Sequence, residues 1–78
     1  MQDLSPLAQF ATHQPLQIGA MECTTEMQRR LMGLGIRIGT HLSLVEKRPG
    51  GIVVGYQGNR IALGDAISAQ LMARPVST

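Results

Sequence analysis

Candidate side chains for holding a metal ion are His13, Glu22, Cys23, His41, Glu46 and Asp65. Imidazole, thiolate and carboxylate are the ligands of divalent iron and zinc, and a tight site needs three or four of them converging. No pair of these six stands at the i, i+4 spacing that sets two ligands on one helix face. Glu22 and Cys23 are adjacent, so on a strand they point to opposite faces. The pattern therefore calls for no required cofactor and leaves room only for a weakly bound divalent metal, iron or zinc, most simply bridging two molecules.

Catalysis finds no better footing. No serine, cysteine or histidine sits in a nucleophile motif, no glycine-rich phosphate loop is present, and there are no paired carboxylates for acid–base work. The chain reads as having no enzymatic activity. Cys23 is the single cysteine and forms no internal disulfide, which fits a reducing cytosolic setting. Its sequence neighbours include no histidine or basic residue to lower its pKa, so it reads as a buried, inert thiol.

Composition narrows the partners. Seven basic residues against five acidic ones give a net charge of +2, and the basic residues are spread along the chain. Tyr56 and Phe10 are the only aromatic residues. That is too little for nucleic acid, which asks for clustered charge and stacking platforms. It is also too little for a groove lined by several rings that would take a proline-rich peptide. No apolar run reaches the length of a membrane span, and the first residues lack the pattern of a secretory signal. A cytoplasmic protein is expected, with no nucleic acid bound, no direct insertion in a membrane, and any membrane connection made through a partner.

The elements that must position these residues are short. At 78 residues the chain has room for one core. Residues 1–14 carry Leu4, Leu7 and Phe10 at helix-like spacing, interrupted by Pro6, and read as an N-terminal arm or short helix preceding a domain over 15–78. Leu16, Ile18 and Ala20 alternate with Gln17 and Gly19 as in a half-buried strand. Thr24 or Thr25 caps a helix in which Met27, Leu31 and Leu34 share one face, with Gly35 as its stop. After a turn at Ile38-Gly39, residues 40–48, a break at Pro49-Gly50-Gly51, and the run from Ile52 to Gln57 make a hairpin. Gly58-Asn59 then reads as a two-residue turn into Arg60–Leu63, completing a meander. A short helical turn over 66–70 precedes a last strand, with Asp65 expected to pair with Arg60. The whole is mainly β: a small, partly open barrel of about five strands with one intervening α-helix and a short helical turn before the last strand.

One surface stands out. Met32, Leu34 and Ile36, set around Gly33 and Gly35, are more apolar than a helix end on a small monomer requires. Together with Arg30 and Arg37 they form the expected partner-binding patch, and exposed apolar surface of this kind also predicts weak self-association.

The stretch RRLMGLGIRIGT, with Arg30, Leu31, Leu34, Gly35 and Gly39, followed by GNRIAL from Gly58 to Leu63, resembles the FeoA family. These are SH3-like barrels that serve as small accessory proteins of bacterial ferrous iron uptake. The resemblance covers about residues 15 to 76. It implies a cytosolic accessory or regulatory protein that binds the FeoB-type, GTPase-coupled iron permease from its cytoplasmic side. Arg29, Arg30, Arg37 and Arg60 are then the guanidinium groups that could approach a partner's nucleotide, although a solvated surface role is the simpler reading of each. The same barrel forms the C-terminal domain of iron-dependent repressors. A free-standing metal-responsive domain or a transcriptional corepressor is therefore the alternative function.

Overall fold

The structure is a computed structural model that describes residues 4–76. Residues 1–3 of the expected arm and 77–78 of the expected domain lie outside the described residues. The elements run β1 (Ser5–Pro6), a 3-10 turn (Leu7–Gln9), β2 (Pro15–Met21), α1 (Thr25–Gly33), β3 (His41–Arg48), β4 (Gly51–Tyr56), β5 (Asn59–Gly64), α2 (Asp65–Ser68) and β6 (Leu71–Pro75). The strands form one six-stranded sheet in the order β1-β6-β2-β3-β4-β5, antiparallel throughout.

Alternation decides which side of each strand faces in. Leu16 and Ile18 on β2, Leu42 and Leu44 on β3, Ile52 and Val54 on β4, Leu63 on β5, and Leu71 and Ala73 on β6 are all buried in one cluster. Such a sheet has to curl around its own inner face, and two bulges help it. The register slips between Ile18 and Ala20 in the pairing of β2 with β6, and between Leu44 and Glu46 in that of β3 with β4. Each extra residue bends its strand and increases the twist. The sheet coils without closing, as expected for a partly open SH3-like barrel.

Three residues from outside the five main strands complete the core: Leu7, Leu31 and Ile36. Leu7 corrects the reading of residues 1–14 as an arm or helix separate from the domain. Ser5 and Pro6 pair with Ala73 and Met72, and Leu7 behind them is fully buried. Phe10, half-buried, packs against the same cluster. The physical reason is Pro6. Its missing N–H is tolerated at a sheet edge, and the residue after the pairing, Leu7, joins the core cluster. The apolar spacing that suggested a helix reflects burial of Leu7 and Phe10 from a 3-10 turn.

A further correction concerns the tight turn. Tyr56 pairs with Asn59, so the turn residues are Gln57 and Gly58, and Asn59 already belongs to β5. Both turn residues have positive φ, 50° and 81°, the requirement of a type I′ hairpin turn. Asn-like propensity suggested the later pair, but the register of β4 with β5 selects the earlier one.

Leu7→Ala should lower the unfolding free energy by about 2–5 kcal/mol in urea denaturation, the range for emptying a buried leucine site. A cost below ~0.5 kcal/mol, typical of a surface change, would show that residues 5–10 are an appendage after all.

Candidate docking surface

The helix that carries the expected patch is held at both ends. At its start, Thr24 Oγ1 accepts from the Met27 N–H at 3.2 Å, and Glu26 lies in the first turn, where a carboxylate suits the helix dipole. Glu26 also meets Arg30 at 3.9 Å, an exposed pair of little energetic weight. Gln28 Nε2 donates to the carbonyls of Met21 and Cys23 at 3.3 and 3.0 Å, tying the helix to the end of β2.

Its C-terminus closes as a Schellman motif. The Gly35 N–H donates to Met32 C=O at 2.9 Å and the Ile36 N–H to Leu31 C=O at 2.8 Å, with Gly35 at φ 93°. The apolar contact that accompanies such a motif joins the residues flanking it, and here Ile36 and Leu31 are both in the core. Gly35 is needed twice over. A side chain there would strain the backbone, and its Cβ would stand 2.5 Å from Tyr56 Cε2, so the tyrosine ring lies directly on the bare glycine.

Beyond Ile36 the chain turns back at once. The Thr40 N–H donates to Arg37 C=O at 3.0 Å, with Gly39 at φ 97° in the third position, as a type II turn requires. Thr40, itself buried, fastens this turn: its hydroxyl accepts from the Arg37 N–H at 3.0 Å and donates to Gly35 C=O at 3.1 Å. Gly39 N–H to Ile18 C=O and Ile18 N–H to Thr40 C=O, at 2.8 and 2.9 Å, lock it to β2.

What this frame presents is an apolar surface. Met32, Leu34 and Ile38 are 55%, 52% and 63% exposed, and they are the exposed large hydrophobic residues among those described. Arg30 and Arg37 are exposed beside them. Ile36 is the exception and corrects the sequence expectation: fully buried, it is a core residue and leaves the patch. Ile38, two residues on, takes its place. Next to Ile38 an open groove of about 630 Å³ runs between Arg37, Ile38, Gly39, Thr40, His41, Tyr56 and Gln57. Arginine and histidine line it, with no carboxylate.

The candidate metal ligands do not converge. His13 sits in the loop before β2, Glu22 and Cys23 between β2 and α1, His41 at the start of β3, Glu46 beside the β3 bulge, and Asp65 at the start of α2. Among the described residues no three His, Cys, Asp or Glu side chains are grouped to hold an ion. Glu46 is taken up by Arg48 at 2.9 Å, and that hydrogen bond, with the attached charge, holds its carboxyl below the ordinary value and raises Arg48. The ion pairs found among the described residues are Glu46–Arg48 and Glu26–Arg30, so the expected pairing of Arg60 with Asp65 is not formed. Cys23 is half-buried against the core.

Sequence reasoning missed Ile38, Thr40 and the seat of Tyr56 on Gly35. Ile36 and Ile38 look alike along the chain, and only the turn between them assigns one to the core and one to solvent.

A family model described as the FeoA domain matches residues 5–75. The crystal structure of an iron uptake regulatory protein (FeoA) superposes with a TM-score of 0.83 at 20% identity, covering 95% of this chain and 100% of that one. The solution structure of iron(II) transport protein A from Clostridium thermocellum gives 0.81 at 22%, covering 97% of this chain and 46% of that one. The manganese regulator SloR gives 0.81 at 14% identity, over 92% of this chain and 34% of that one. At such identities the likeness is one of fold. No curated protein matches the sequence.

Gly39→Ala should cost about 1–2 kcal/mol for its left-handed backbone alone, since nothing lies within 4 Å of the added methyl. Gly35→Ala should cost more in the same denaturation assay, because Tyr56 has to move as well. Equal losses would mean that the tyrosine seat carries no weight.

Proposed function

Because the chain belongs to the FeoA domain family, we propose that it is an accessory protein of ferrous iron uptake that docks on the cytoplasmic side of an FeoB-type permease. The family is associated with ferrous iron transport. The docking face in this reading is the C-terminal end of α1 and the turn after it. One observation carries it: Met32, Leu34 and Ile38 remain exposed on backbone that is fixed by a Schellman closure and by the buried Thr40. Exposed apolar side chains on a rigid frame bind with little ordering cost, because the entropy of the frame was surrendered on folding. Arg30 and Arg37 at the margin give the face its charge and steer it toward an acidic partner surface. No helix of the described residues is long and apolar enough to cross a membrane, so in this reading the partner supplies the membrane, the transport path and the nucleotide chemistry, while the domain promotes or regulates transport by binding.

The test is recovery of the permease from detergent-solubilised membranes of iron-starved cells, with the tagged chain as bait. Met32→Glu and Ile38→Glu should each weaken capture by about 30-fold or more, the effect of losing a contact worth ~2 kcal/mol, while circular dichroism stays that of the folded domain. Ile36→Glu should instead unfold the bait. Failure of the folded wild-type chain to recover the permease under any iron or nucleotide condition would sink the proposal.

Metal plays no structural part in this reading. A chelator should leave the melting temperature unchanged, and a drop of several degrees would point to a bound ion that the fold requires.

A further inference from the structure

The two edges of the sheet are not alike. The edge at β1 is two residues long and contains Pro6, the kind of short, proline-bearing edge that resists pairing with another chain. The edge at β5 runs over Asn59–Gly64, carries no proline, lysine or glutamate, and pairs with β4 without a bulge from Tyr56↔Asn59 to Gly51↔Gly64.

The hairpin geometry settles which backbone groups β5 leaves free. Tyr56 and Asn59 flank a two-residue turn and so form a hydrogen-bonded pair; alternation then makes Val54↔Ile61 and Ile52↔Leu63 hydrogen-bonded too. The N–H and C=O groups of Arg60 and Ala62 therefore point away from β4, as does the Gly64 N–H. The Gly64 carbonyl is already used, because Gly64 is the N-cap of α2. Among the described residues no turn, loop or cap hydrogen bond takes up Arg60 or Ala62, and both residues are exposed.

We infer that β5 is a self-pairing edge on which a second copy of this chain adds its own β5 antiparallel, about a two-fold axis at Ile61. In this register Arg60 exchanges both backbone hydrogen bonds with the partner's Ala62, and the reverse pair does the same, so the free N–H and C=O groups of both residues are satisfied. The register also removes the electrostatic obstacle. Arg60, the charged side chain of β5, lies opposite an alanine and not opposite the partner's Arg60. Ile61, half-buried on the inner face, faces the partner's Ile61 in a non-hydrogen-bonded pair, where side chains come closest. The surface is separate from the apolar face at Met32, Leu34 and Ile38, so the inference stands independently of the docking proposal.

Sedimentation equilibrium of the full chain over a wide concentration range tests it. The wild-type chain should show a concentration-dependent dimer. Ala62→Lys, an exposed substitution that sets a lysine opposite the partner's Arg60 on both sides of the axis, should raise the dissociation constant by roughly tenfold or more. Ile38→Glu should leave it unchanged. Amide hydrogen exchange of the wild-type chain gives a second readout that needs no variant: the Arg60 and Ala62 N–H groups should slow as concentration rises. A chain that stays monomeric up to roughly millimolar concentration overturns the inference. So does a dimer that survives Ala62→Lys, one that Ile38→Glu dissolves, or exchange at Arg60 and Ala62 that ignores concentration.

Discussion

The insertion of Ile36 into the core governs the region on which function is proposed. For its side chain to reach Leu31 and the inner face of the sheet, α1 has to end at Gly33, and Gly35 has to adopt the left-handed conformation that turns the chain inward. The helix carbonyls freed by that ending are met by the N–H groups of Gly35 and Ile36. With Ile36 anchored, only a tight reversal returns the chain to β2 and β3, and Thr40 supplies the hydrogen bonds that hold it. Ile38 at the tip of that reversal has nowhere to go but solvent. The exposed surface is thus a consequence of the buried residue beside it.

The sheet shows the same economy. A chain of this length buries a modest share of its surface, and the inner faces of the five longer strands do not fill the barrel by themselves. Leu7 from the N-terminal segment and Leu31 and Ile36 from the α1 region complete the core. The bulges at Gly19 and Val45 let the strands bend around these contributions. Gly19 has a further reason to lack a side chain: Leu4 and Arg74 crowd the space a Cβ would occupy. At β5, by contrast, the register with β4 is regular, and regularity is what leaves an edge straight enough to pair.

The candidate ligand side chains, apart from the half-buried Cys23, lie on the surface of the domain. His13, the adjacent Glu22 and Cys23, His41, Glu46 and Asp65 are spread over different elements, and the carboxylate with a resolved shift, Glu46, owes it to Arg48. The groove beside Ile38 presents Arg37 and His41 without an opposing carboxylate.

Much of this was legible in the residues alone, because it depends on local rules. Strand alternation marked the inward residues of β2, Thr24 and Gly35 marked the ends of α1, and the Pro49-Gly50-Gly51 break placed the β3–β4 hairpin. The apolar surplus at the end of α1 was equally visible in Met32 and Leu34. What the sequence could not decide was every choice between chemically equivalent residues. Ile36 and Ile38 differ only in the side of a type II turn on which they fall. Gln57-Gly58 and Gly58-Asn59 are both acceptable turns until the pairing of β4 with β5 selects one. Leu7 shows no local sign of being core, since its neighbours across the barrel lie far away in sequence. Local propensity acts over a few residues, whereas burial depends on contacts closed by the whole chain, and those contacts decided which isoleucine is hidden and which is offered.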